Sequence, residues 1–133
     1  MAKIILTCQR GFEWVHQGNI SFKGYLYDRR GRYLHAQNAI ELFSDTSSAG
    51  QLIKLLQGVQ GAYSVIIRVS GGVLAATDSI SMFPLFYSKL NSKWVLADEA
   101  SSILNILPSP EINRDALPEF LSAGFVLGDE SLI

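Results

Sequence analysis

The stretch from Gly61 to Glu99, GAYSVIIRVSGGVLAATDSISMFPLFYSKLNSKWVLADE, most constrains what this chain can become. Turn signals split it into short apolar runs. Ala62 to Val69 is rich in β-branched residues and stops at Ser70-Gly71-Gly72. Val73 to Asp78 resumes directly afterwards, Leu85 to Ser88 follows a proline, and Lys93 to Asp98 follows Leu90-Asn91-Ser92. Branched and aromatic side chains pack well on a pleated surface, whereas Gly, Asn and Ser accept the backbone angles of tight turns. The pattern predicts four antiparallel strands joined by hairpins, with the rest of the chain packed around them.

Upstream, Lys3 to Cys8 reads as a buried strand broken by Gly11, and Phe12, Trp14 and His16 alternate with Glu13, Val15 and Gln17 as a second strand. After Gly18-Asn19, Ile20, Phe22, Gly24 and Leu26 share one side of a third strand, with Lys23, Tyr25 and Tyr27 on the other. Asp28 to Gly31 turns the chain, and Tyr33-Leu34-His35 returns. Ala36 to Phe43 is ambiguous; Ile40, Leu42 and Phe43 are compatible with an extended strand. Ser47 or Ser48 then caps a helix with Gln51 one turn on; Leu52, Ile53, Leu55 and Leu56 form its buried stripe, and Gly58 ends it.

Downstream, Glu99 to Leu104 starts a short helix, and Pro108 and Pro110 mark an extended linker. Asn113 caps a helix over Arg114 to Ala123, irregular in its first turn because of Pro118 and closed by Gly124. Strands, a helix, more strands and then helices give the α+β class.

A length of 133 residues suits a single domain, 1–133, and 48% hydrophobic residues suffice for a core. The net charge of −1 implies no attraction to nucleic acid or to an anionic membrane. Arg29, Arg30 and Arg32 bunch together, but Asp28 and Gly31 interleave them, as in a solvated hairpin tip rather than a phosphate site. Cys8 is the single cysteine, so no internal disulfide framework exists, which suits the cytoplasm. No apolar run reaches membrane-spanning length. His16 reads as partly buried and His35 as exposed; neither has Cys or His at metal-ligand spacing, so no metal site is expected. Trp14 and Trp94 are assigned to the core.

The order of several motifs resembles the glutaminase-type domain of asparagine synthetase-like enzymes, the class II glutamine amidotransferases. Ala76-Thr77-Asp78 stands where that family has Ala-Arg-Asp, Pro84-Leu85-Phe86-Tyr87 where it has Pro-Leu-Tyr-Tyr, and Leu96-Ala97-Asp98-Glu99 where it has Phe-Ala-Ser-Glu. Val59-Gln60-Gly61-Ala62-Tyr63-Ser64 is similar to its Leu-Asp-Gly-Met-Phe-Ala, and Ile112-Asn113-Arg114-Asp115-Ala116-Leu117 to its Ile-Asp-x-x-Ala-Leu. Leu121 to Val126 resembles its tyrosine-leucine helix end, so the likeness runs from about residue 20 to the last residue. It implies a four-layer αββα sandwich of two antiparallel sheets, the Ntn-hydrolase-like fold, here truncated. The apolar end of the chain at Phe125-Val126-Leu127 and Ser131-Leu132-Ile133 suggests that the domain is the N-terminal part of a longer protein.

The chemistry of that family is not matched residue by residue. Its nucleophile is an N-terminal cysteine whose free α-amine serves as base; this chain opens Met1-Ala2-Lys3. Cys8 would serve only after cleavage behind Thr7, which would remove the strand before it. The family's substrate-binding arginine segment has no counterpart. Its Asn-Gly-Glu is Lys23-Gly24-Tyr25 here, and its Ser-Asp-Thr-Glu helix start is Ser48-Ala49-Gly50-Gln51. Lys23, Gly24, Tyr25 and Ala49 are thus degenerate positions, and Asp78 is expected to be structural, holding the loop after it. Ser70-Gly71-Gly72 is similar to the start of the synthetase pyrophosphate loop, but Leu74 replaces the required Asp, so it reads as a turn.

The resemblance therefore implies a catalytically degenerate domain that supports a C-terminal synthetase domain in cis. ATP and Mg would belong to that synthetase domain, and no cofactor to this one. Two alternatives remain: an atypical glutaminase using Cys8 after processing, and a stand-alone interaction module, including a homo-oligomer formed through a sheet edge.

Overall fold

The computed structural model describes residues 2–124, 126 and 131. Two compact units divide the chain, Met1–Ile103 and Leu104–Ile133. The first carries strands β1 (Lys3–Ile5), β2 (Val15–Gln17), β3 (Ile20–Tyr27) and β4 (Tyr33–His35), helices α1 (Ala36–Glu41) and α2 (Ala49–Leu56), and strands β5 (Gln60–Val69), β6 (Gly72–Thr77), β7 (Phe86–Leu90) and β8 (Lys93–Ala97). Helix α3 (Ala100–Leu104) follows, and the second unit carries α4 (Leu117–Ala123). The class is α+β, with two sheets.

The larger sheet has the order β2-β3-β5-β6, with β4 also paired to β3; every pairing in it is antiparallel. The smaller has the order β1-β8-β7, with β1 parallel to β8 and β7 antiparallel to it. The four strands expected in Gly61 to Glu99 all form, but as two hairpins in different sheets. Their turns follow from local chemistry. Val69 faces Gly72 across a tight turn in which Gly71 has φ +85°, and Leu90 faces Lys93 across Asn91 and Ser92, at φ +48° and +65°. Two positive φ values in a two-residue loop match the right-handed twist of a hairpin.

One face of the larger sheet presents Ile20, Phe22 and Leu26 from β3 and Tyr63, Val65 and Ile67 from β5. They pack against Ala39, Ile40, Phe43 and Leu52. Phe22 stacks on Tyr63, with ring planes 12° apart. The opposite face is buried as well, through Lys23, Ala62, Ser64 and Ile66. Ser64 Oγ donates to the Phe83 carbonyl on that side. Burial on both faces is compatible with a two-sheet sandwich.

Helix α2 starts as its sequence predicts. Ser48 is the N-cap and accepts from Gln51 N, while Gln51 Oε1 accepts from Ser47 N at 2.8 Å. The last helix forms only from Leu117. Asn113 Oδ1 accepts from Asp115 N and Ala116 N, Pro118 sits in the first turn, and Gly124 closes the helix at φ +80°.

Several expectations are corrected. The Lys3 to Cys8 strand stops at Ile5, because the amides of Thr7 and Cys8 turn to the Asp98 carboxylate. The second strand spans only Val15–Gln17. Ala36 to Glu41 is a helix, entered with Ala36 at φ +51°, and it buries Ala39 and Ile40. Ile53 is 60% exposed, since it lies off the face shared by Leu52, Leu55 and Leu56. Trp94 is 51% exposed beside Tyr87 on one face of the smaller sheet. His16 is exposed on a strand paired with β3 alone, its Nδ1 2.7 Å from Ser21 Oγ. The apolar end read at Phe125–Leu127 and at Leu132 and Ile133 lies largely outside the described residues.

Candidate functional site around Lys23 and Asp98

Lys23 occupies the middle of β3, opposite Ser64 of β5, and is 2% exposed. A buried ammonium is costly unless hydrogen-bonded or paired. Its Nζ donates to the Cys8 carbonyl at 2.9 Å and lies 5.4 Å from the centre of the Phe83 ring. The one ion pair among the described residues is Arg32 with Asp28, so no described carboxylate pairs with Lys23.

Asp98 follows β8 and is equally hidden. Its Oδ1 accepts from Thr7 N at 2.9 Å, and its Oδ2 from Cys8 N and Trp14 Nε1, both at 2.8 Å. Cys8 is thus held at both backbone ends, its N–H by Asp98 and its C=O by Lys23. These contacts pin the segment after β1 against the larger sheet. Beside them lies a cavity of about 310 Å³, bounded by Cys8, Arg10, Trp14, Lys23, Phe83 and Asp98.

Phe83 is placed by the loop after β6. Asp78, buried at its start, accepts from Ile80 N at 3.0 Å, Met82 N at 3.1 Å and Tyr63 N at 3.2 Å. This is the structural role that the resemblance implies for it. Within this loop Ser81 takes the left-handed conformation, at φ +51°. The Tyr63 phenol is pushed above its ordinary value, first by burial and then by the charge of Asp78.

Cys8 and the four positions that the resemblance singles out, Lys23, Gly24, Tyr25 and Ala49, separate in space. Cys8 and Lys23 meet at the cavity. Gly24 has φ +102°, and a Cβ there would lie 2.1 Å from the Ala62 carbonyl oxygen and 2.9 Å from the Phe83 ring. Only glycine fits that approach. Tyr25 packs on Phe12, Tyr27 and Tyr33, reaching Phe83 only through Phe12. Ala49 is the exposed first residue of α2 and does not line the cavity.

Sequence reasoning missed Arg10, Trp14, Phe83 and Asp98 as members of this site. Two signals were present: a lysine inside an apolar strand, and an aspartate where the resembling family has serine. At the hairpin tip, Arg29 Nη2 donates to the Lys54 carbonyl and Arg32 Nε to Asp28. The Asp28 carboxyl is held below its ordinary value, chiefly by the Arg32 amide. Two of the three arginines there are spent within the fold.

Among the described residues no helix is long and apolar enough to cross a membrane. Comparison of the chain with protein-family models, curated proteins and solved structures finds no match.

Proposed function

We propose that this chain is a degenerate amidotransferase-like domain that has lost glutamine hydrolysis. In this reading it belongs to the Ntn-hydrolase-like sandwiches and forms the front part of a cytoplasmic, asparagine synthetase-like amide ligase. The observation that carries the loss is the state of Cys8 N. With Thr7 bonded to it, it is a peptide amide that donates to Asp98 at 2.8 Å, and cleavage before it would remove β1 from its pairing with β8. An amide nitrogen has no basic lone pair, so it cannot take the proton of a thiol as the α-amine base does. Lys23 supports the same reading, because its buried cation, held on the Cys8 carbonyl, would repel a substrate ammonium.

The domain's work is then to pack against a synthetase domain in cis and to shape its amide-forming site. ATP and Mg would be handled by that domain. The order of motifs carries the family reading, and the two sheets and the loop-holding Asp78 support it.

The test is glutamate release from glutamine, with intact mass read on the same sample. No release above the buffer rate is expected, from the wild type or from Cys8→Ser. Release that is lost in Cys8→Ser, from a chain beginning at Cys8, would establish the processed glutaminase instead. Reading the gene beyond Ile133 tests the ligase half. A Ser-Gly-Gly-x-Asp-Ser segment is expected there, and a stop codon leaves the interaction module.

A further inference from the structure

The Lys23 ammonium is buried, yet it is only partly satisfied by the protein. Of its three donors, one is spent on the Cys8 carbonyl. The Phe83 ring takes a share of the charge. No described carboxylate is paired with it. The cavity beside it reaches solvent past Arg10 and Met82, both exposed.

The charges of the lining decide what enters. Arg10 and Lys23 are positive and Asp98 is negative, which leaves one positive charge. Asp98 already accepts three N–H groups and is turned toward the N-terminal segment. One monoanion balances this lining. A phosphate dianion would overshoot it and meet the field of Asp98. Trp14, Met82, Phe83 and Pro84 make the remaining wall apolar or aromatic. A volume of about 310 Å³ lies at the small end of ligand sites, too small for a nucleotide and sufficient for a molecule of amino-acid size.

The geometry points to a binding site for a small monocarboxylate with an apolar or aromatic tail, its carboxylate on Lys23 and its tail between Trp14 and Phe83. The site requires nothing of the amidotransferase-like reading and stands or falls separately from it.

The test is an NMR titration of the full chain with phenylacetate, its neutral amide phenylacetamide and inorganic phosphate. The readout is the indole N–H resonance of Trp14, which donates to Asp98. The exposed Trp94 indole, outside the cavity, is the internal control. Phenylacetate should move the Trp14 signal saturably with a Kd of about 1 mM or tighter, leaving Trp94 in place. Phenylacetamide and phosphate should bind at least about tenfold more weakly, because neither matches charge and tail together. Lys23→Met, which keeps the apolar stem, should weaken phenylacetate by about tenfold or more, and the exposed Arg10→Gln by a few-fold. Where Lys23→Met fails to fold, Arg10→Gln and the amide comparison decide. No saturation by about 10 mM phenylacetate, equal binding of the amide or of phosphate, or unchanged affinity in both variants would overturn the proposal.

Discussion

Asp78 and Asp98 are the same device used at two distances. Each follows the last residue of a strand, each is buried, and each accepts N–H groups on both carboxylate oxygens. Asp78 gathers Ile80 N and Met82 N from its own loop and Tyr63 N from the neighbouring strand β5. Asp98 gathers Thr7 N, Cys8 N and Trp14 Nε1 from the opposite end of the chain. The first shapes a loop, and the second ties the N-terminal segment to the sheets and builds a cavity wall. A carboxylate placed where backbone amides converge is a good partner for them in either case. What differs is how much of the fold lets go when it is removed.

The largest effect is expected from Asp78→Ala. It leaves three backbone donors without a carboxylate beside the main core, and urea denaturation should report a loss of about 3 kcal/mol. Asp98→Ala should cost less, about 2 kcal/mol, because the short edge strand β1 can detach and let its amides hydrate. Its signature is local: hydrogen exchange at Thr7 and Cys8 and labelling of the Cys8 thiol should quicken before global unfolding. A larger global loss for Asp98→Ala than for Asp78→Ala would reverse the ranking of the two carboxylates.

Trp14→Phe sharpens the comparison further. It keeps an aromatic ring and removes one of the three donors from Asp98, for an expected loss of about 1 kcal/mol. No loss would mean that the two backbone amides alone hold the segment.

The smallest effect concerns charge. The folded Tyr63 phenol sits above its ordinary value of 10.0, first through burial and second through Asp78. The stability it contributes is complete below pH 10 and is lost as pH rises through the folded value. Asp78→Asn should lower the Tyr63 titration toward 10.0 without reaching it, since burial remains the larger cause. Spectrophotometric titration against a Tyr63→Phe reference measures this. An unchanged titration would show that Tyr63 does not sense the carboxylate.

The two aspartates also differ in how they could be read. Asp78 stands just before a loop, and its expected role is the one that the resemblance implies for that position. Asp98 reads only as the end of the Lys93 to Asp98 strand, because its partners lie in a segment with no periodic relation to it. The sequence marks Lys23 only as a degenerate position, whereas its burial and its bond to Cys8 place it at the cavity. Trp94 and Ile53 were placed inside from their apolar character, which says that a side chain can be buried but not that a partner surface will cover it.

By itself the sequence determined the local pieces, from whose order the α+β class follows: the hairpin turns at Gly71 and at Asn91-Ser92, a cap of α2 at Ser47 or Ser48, and the Gly124 end of α4. Each depends on backbone angles and hydrogen bonds within a few residues, so residue identity is sufficient. Only the tertiary structure decided that the two hairpins belong to different sheets, that β1 pairs in parallel with β8, and that Cys8, Trp14, Lys23 and Asp98 meet. Those outcomes depend on which distant backbone groups and side chains satisfy one another once buried, and neither composition nor periodicity encodes that pairing.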